Sequence, residues 1–134
     1  MKLKLKMLVC LLLPLVVLFM AKPVIAEPLK IVPKEEIKVY AFKKVLETWG
    51  SKQWDSFDRI ISKESINWTV TDYHYPESKK SSAYGLCGTL IKTHKIDVDG
   101  FDVYAQVDWC INYIYERYET PQKAWQFHIK NNWF

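Results

Sequence analysis

Residues 101–118, FDVYAQVDWCINYIYERY, alternate between apolar and polar positions with few breaks. Phe101, Val103, Ala105, Val107, Trp109, Ile111, Tyr113 and Tyr115 fall on one side. Asp102, Tyr104, Gln106, Asp108, Cys110, Asn112 and Glu116 fall on the other. A period of two predicts a long strand with a dry and a wet face. Residues 65–75 (SINWTVTDYHY) and 86–96 (LCGTLIKTHKI) are rich in β-branched and aromatic types and predict two more strands. Residues 122–134 (QKAWQFHIKNNWF) close the domain as a fourth, turned by Glu119-Thr120-Pro121.

The period is different upstream. Val39, Phe42, Leu46 and Trp49 recur at helical spacing after Pro33, which suits a first helical turn. Gly50 is a helix stop. Ser51 is a candidate cap for a second helix through about Lys63, with Trp54, Phe57, Ile60 and Ile61 on its buried stripe. The predicted fold class is therefore α+β. A helical hairpin with an aromatic inner face packs on an antiparallel sheet, because nothing else in the chain is apolar enough to cover that sheet's dry face.

The first residues decide the compartment. MKLKLK is followed by an apolar run of about 14 residues and then by Val24 and Ala26, the layout of a signal peptide over 1–26. The rival is an uncleaved anchor. As a helix the run spans roughly 21 Å, short of a roughly 30 Å hydrocarbon core. Residues 27–33 then form an extended leader, and 34–134 a single domain. Nothing after residue 26 is apolar enough to span a membrane.

Removing the leader changes the charge. The whole chain has 19 Lys+Arg against 15 Asp+Glu. Lys2, Lys4, Lys6 and Lys22 are lost with the leader, which leaves a formal net charge of zero. A basic surface for nucleic acid loses its support. An exported chain also meets an oxidising compartment. With a four-residue turn at Asp97–Gly100, Lys95 faces Asp102 and Cys87 faces Cys110, at a spacing near disulfide reach. A Cys87–Cys110 disulfide is expected, with two free thiols as the alternative.

The pattern of two N-terminal helices, long antiparallel strands and a closing AWQFHIKNNWF resembles the NTF2-like (cystatin-like α+β) superfamily. VLETWGSKQWDSFDRII and FDVYAQVDW carry the rest of the resemblance. It implies a curved sheet wrapped into a cone around a cavity, and members that are enzymes, carriers or accessory domains. Fold alone therefore leaves function open. The Gln-x-Val-x-Gly loop of cystatins is absent.

An acid–base site would draw on Asp72 and His74, which share a strand face, or on His94. Nucleophile elbows, phosphate loops and zinc or calcium motifs are missing, so no cofactor or metal is expected. The favoured reading is an exported, periplasmic or secreted, non-catalytic binding or accessory domain for a partner protein or a small hydrophobic ligand. Tyr104, Gln106, Asp108, Asn112 and His128 form its candidate partner surface, and a homodimer through the sheet is one form of it. The alternatives are a small isomerase- or hydrolase-like enzyme using Asp72 or His94, and a periplasmic inhibitor or immunity-type protein.

Overall fold

Four helices of 11 to 16 residues carry the described part of the domain. The computed structural model describes residues 31–72, 83–97 and 100–134. The signal-peptide reading and most of the extended leader lie outside them. Residues 31–33 carry no regular structure, and Pro33 is extended at φ −59°, ψ 142° just before the first helix. Helix α1, Lys34–Trp49, has Glu35 and Glu36 in its first turn, where the helix dipole favours negative charge. Gly50, at φ 90°, ends it by donating its N–H to the carbonyls of Val45 and Leu46. A 3₁₀ turn, Ser51–Gln53, leads into α2, Trp54–Glu64; Ser51 makes no side-chain cap. The α2 stripe is as expected, with Phe57, Ile60 and Ile61 buried.

The α1 stripe is not. Ile37, Ala41 and Val45 are the residues buried on α1. Val39, Phe42 and Leu46, the expected core positions, stand on the outside at 70%, 39% and 47% exposure. This helix carries two apolar faces, and the larger side chains occupy the outer one.

The first predicted strand is replaced by a turn. Ile66, Asn67 and Trp68 all have positive φ, at 49°, 60° and 67°. Three left-handed L-residues in a row cost about 3–6 kcal/mol. The reversal lets Trp68 fold back onto Trp54 and Phe57, where it is 1% exposed. Burying an indole returns about 4–6 kcal/mol. Hydrogen bonds complete the balance: Trp68 Nε1 donates to Asp58 at 2.8 Å, and the Ser65 hydroxyl accepts the Trp68 N–H at 3.0 Å. Residues 73–75 of that predicted strand lie outside the described residues.

The second predicted strand shrinks to half of a short hairpin. Strands β1, Ala83–Tyr84, and β2, Thr89–Leu90, pair antiparallel with Ala83 opposite Leu90 and Tyr84 opposite Thr89. One helical turn follows, α3, Ile91–His94, ended by Lys95 in the left-handed region. The described residues thus combine helices with one small antiparallel sheet, an α+β composition.

The largest correction is the long strand. Val103–Tyr118 is a helix, α4. Asp102 caps it by accepting the N–H groups of Tyr104 and Ala105 at 2.9 and 2.8 Å. Its buried positions, Val103, Gln106, Val107, Cys110, Ile111, Ile114 and Tyr118, follow a period near 3.6. The fourth strand is also a helix, α5, Pro121–Asn131, capped by Thr120 with Pro121 in its first turn. Without these strands there is no curved sheet, no cone around a cavity, and no sheet face for a homodimer among the described residues. Helix α2 packs against α5 and α1 against α4, with one buried cluster between them.

Candidate interaction surface

Where α1 meets α4, polar and aromatic side chains alternate at one-turn spacing. Glu36, Tyr40 and Lys44 descend one flank of α1, and Tyr104 and Asp108 descend the facing flank of α4. The Tyr40 hydroxyl lies 3.0 Å from each oxygen of the Asp108 carboxylate, to which it donates. Lys44 Nζ lies 3.3 Å from the same carboxylate and 5.4 Å from the Tyr40 ring centre. The Tyr104 hydroxyl donates to Glu36 in a short hydrogen bond. The two phenol rings meet edge to face, with centroids 4.9 Å apart.

This arrangement holds its protons. Burial, and then the Asp108 carboxylate beside it, push the Tyr40 phenol above its ordinary value, against a smaller opposing effect of Lys44. Tyr104 is raised chiefly by its bond to Glu36. Lys44 is raised by its bond to Asp108 and then by Tyr40. Both tyrosines are thus neutral donors and Lys44 a cation throughout the neutral range. The seam thus presents phenol edges, one ammonium and a carboxylate held in fixed positions.

Beside this cluster stands the outer ridge of α1. Val39 and Leu46 lie about two turns apart with Phe42 between them. Phe42 meets Trp54 of α2 edge to face at 5.3 Å, so the ridge is continuous with the aromatic group of Trp54, Phe57 and Trp68.

The predicted site residues separate. Tyr104, Asp108 and Asn112 remain on one face, because spacing of four keeps them together on a helix as spacing of two does on a strand. Asn112 is exposed. Gln106 is turned inward and is 3% exposed. Its Oε1 accepts the Leu86 N–H at 3.0 Å, and its Nε2 donates to the carbonyls of Thr71 and Phe101 at 2.9 and 3.1 Å. His128 lies between α2 and α5, 2.9 Å from Glu64 and stacked on Trp125. The five residues do not form one surface.

The expected disulfide does join Cys87 to Cys110, with Cα atoms 6.0 Å apart. It is not a cross-strand pair. Cys87 sits at the hairpin tip and Cys110 on α4, one turn beyond Gln106.

Asp72 and His94 are both exposed, and no contact joins them. The Asp72 carbonyl accepts the Gly85 N–H at 2.6 Å. His94 meets the rings of Trp109 and Tyr113 edge on, at 5.1 and 5.9 Å. His74 lies outside the described residues. No group of three His, Cys, Asp or Glu able to hold a metal occurs among the described residues, and none of their helices is long and apolar enough to cross a membrane.

The sequence reading missed Tyr40, Glu36 and Lys44. Their four-residue spacing, matched to that of Tyr104 and Asp108, was the available signal. Fold and surface together define a disulfide-locked α+β domain with an aromatic–polar seam beside an exposed apolar ridge. Comparison of the chain with protein-family models, curated proteins and solved structures finds no match to any of them.

Proposed function

We propose that this chain is an exported, non-catalytic binding domain that engages a partner protein through α1 and the adjoining flank of α4. The observation that carries the reading is the second apolar face of α1. Val39, Phe42 and Leu46 make an unburied ridge, and Tyr40, Tyr104, Asp108 and Lys44 sit beside it as oriented polar groups. An apolar centre with a polar, tyrosine-bearing rim is the common anatomy of a protein interface. Export is supported by the leader pattern of residues 1–26 and by the disulfide. The seam supports binding over proton transfer, because none of its raised groups exchanges a proton near neutral pH.

The test has two parts. N-terminal sequencing of the protein recovered from cells is expected to begin at Glu27; an intact leader on a cytoplasmic protein refutes export. A photo-crosslinking side chain placed at Lys43, between Val39 and Leu46, is expected to give one discrete adduct in cells. Val39→Glu with Leu46→Glu abolishes that adduct, whereas Ile129→Glu, at an exposed site on α5, leaves it. A lack of any adduct, or one indifferent to the ridge, refutes the surface. An adduct of twice the chain's mass identifies the partner as a second copy.

A further inference from the structure

The outward side of α2 holds an open groove that the α1–α4 surface does not use. Its volume is 340 Å³, and Asp58, Arg59, Ser62, Lys63 and Trp125 line it. That volume lies at the lower end of the range for small-molecule sites. Four of the five residues come from one helix, at spacings that keep them on its solvent side. The fifth reaches over from α5, so the groove exists only because α2 and α5 pack together.

The carboxylate of this groove is paired and its two cations are not. Asp58 is already engaged, by Lys38 at 2.8 Å and by Trp68 Nε1 at 2.8 Å. Glu64, the next carboxylate along α2, is engaged by His128 at 2.9 Å. Arg59 and Lys63 have no ion-pair or hydrogen-bond partner among the described residues. Two cations one helical turn apart thus flank a seryl hydroxyl, and no carboxylate among the described residues lies within ion-pair distance of either. The indole is held in place: Trp125 stacks on His128 with centroids 5.4 Å apart and planes at 27°, and the Glu64 contact fixes the imidazole in turn.

We infer that the α2–α5 groove binds a small planar organic anion. Its ring lies against Trp125, its acidic group meets Arg59 and Lys63, and the Ser62 hydroxyl donates to that group. A guanidinium fork matches the two oxygens of a carboxylate or a phosphate, and a flat ring gains from stacking on the indole that an aliphatic ring of the same charge does not.

Titration of the purified protein tests this, followed by backbone amide resonances and by calorimetry. The probes are benzoate, phenyl phosphate, cyclohexanecarboxylate and inorganic phosphate. One of the two aromatic acids is expected to saturate, with shifts confined to α2 and the Trp125 turn. Its affinity should exceed those of cyclohexanecarboxylate and inorganic phosphate by about tenfold, and which acid saturates decides between carboxylate and phosphate. Arg59→Gln with Lys63→Gln lowers that affinity by about tenfold or more, while Lys52→Gln, outside the groove, leaves it unchanged. Trp125→Leu abolishes the preference for a flat ring. The proposal is overturned if neither aromatic acid saturates below about 10 mM, if inorganic phosphate binds equally well, or if the double Gln variant, shown folded by its amide spectrum, binds as the wild type does. These outcomes are independent of the α1 crosslinking result, since the two surfaces share no residue.

Discussion

Gln106→Leu removes three hydrogen bonds while almost preserving side-chain volume. The wild-type amide closes the gap between α4, the Gly85–Gly88 hairpin tip and the chain entering the helix. After substitution the Leu86 N–H, on a residue with no exposed surface, has no acceptor. The Phe101 carbonyl is buried as well, whereas the bond to Thr71 is only partly buried and water can replace it. An orphaned buried backbone group costs about 1–3 kcal/mol. Two of them cost about 2–6 kcal/mol, and burying a leucine in place of an amide offsets roughly 1–2 kcal/mol of that. The net loss is about 1–4 kcal/mol, a fall in Tm of roughly 5–25 °C for a domain of this size. Urea unfolding followed by far-ultraviolet circular dichroism measures it. A loss below about 1 kcal/mol would show that the amide is not the hairpin's anchor.

A second variant separates lost bonds from lost shape. Gln106→Glu keeps an acceptor for Leu86 but places an oxygen where two carbonyls expect a donor. In the folded state that carboxyl is held protonated to a higher pH than in the unfolded chain, where its pKa is about 4.3. Its folded pKa is therefore raised, so stability relative to wild type is retained below the unfolded value and falls as pH rises through the folded one. The variant should be close to wild type at about pH 4 and clearly weaker at about pH 7. Equal deficits at both pH values would refute the amide's donor role. Gly85→Ala probes the same contact from the other side. Gly85 has φ 70°, and an added Cβ would collide with the Gln106 amide oxygen.

Three further outcomes are expected. Replacing Cys87 and Cys110 together by alanine opens a loop of sequence separation 23, and chain entropy sets the loss at about 3.4 kcal/mol; denaturant unfolding of the two forms measures it, and a loss under about 1 kcal/mol would place the constraint elsewhere. Ile61→Ala on the buried side of α2 should cost about 2–5 kcal/mol, whereas Leu46→Ala on the outer ridge should change stability by about 0.5 kcal/mol or less; the reverse order in a melting experiment would return Leu46 to the core. Tyr40 and Lys44 have raised folded pKa values, so their contribution is present below the ordinary phenol value of 10.0 and is lost as pH rises through the folded ones; phenolate absorbance should show Tyr40 titrating late, and Asp108→Asn should bring it earlier.

Helices α1 and α2 were readable because their apolar residues fit only one period and Gly50 punctuates them. Helix α4 fits two. Val103, Val107 and Ile111 are shared by the alternating and the helical pattern. Ala105, Trp109, Tyr113 and Tyr115 supported the strand, yet each is half-buried or exposed. Three signals favoured the helix. The run is longer than the usual strand of 3–10 residues. Asp102 precedes the apolar run as a cap, and Thr120-Pro121 is a cap followed by a first-turn proline. The polar surface read from alternation broke for the same reason: residues two apart point about 200° apart on a helix, which sends Gln106 inward from Tyr104 and Asp108. The cysteine pairing was legible from count and from an expected export, since two of the three cysteines lie after the predicted leader, while the cross-strand register that set Cys87 opposite Cys110 was wrong. The left-handed turn at Ile66–Trp68 has no local signature beyond Asn67; burial of a distant indole selects it.

The distribution of supports bears on the α1 ridge. The hairpin strands are two residues long, too short to hold themselves. The disulfide and Gln106 fasten the hairpin to α4 and so cover the end of that helix around Val103, Val107 and Cys110. On α1, Ile37, Ala41 and Val45 supply the core contacts, and Tyr40 and Lys44 supply the contacts to α4. Among the described residues, Val39 and Leu46 are exposed, at 70% and 47%, and belong to neither group. Valine is also a weaker helix former than the lysine or glutamate that a solvated position accepts. Helix propensity alone therefore favours a polar residue at position 39, and the proposed docking surface would account for the valine there.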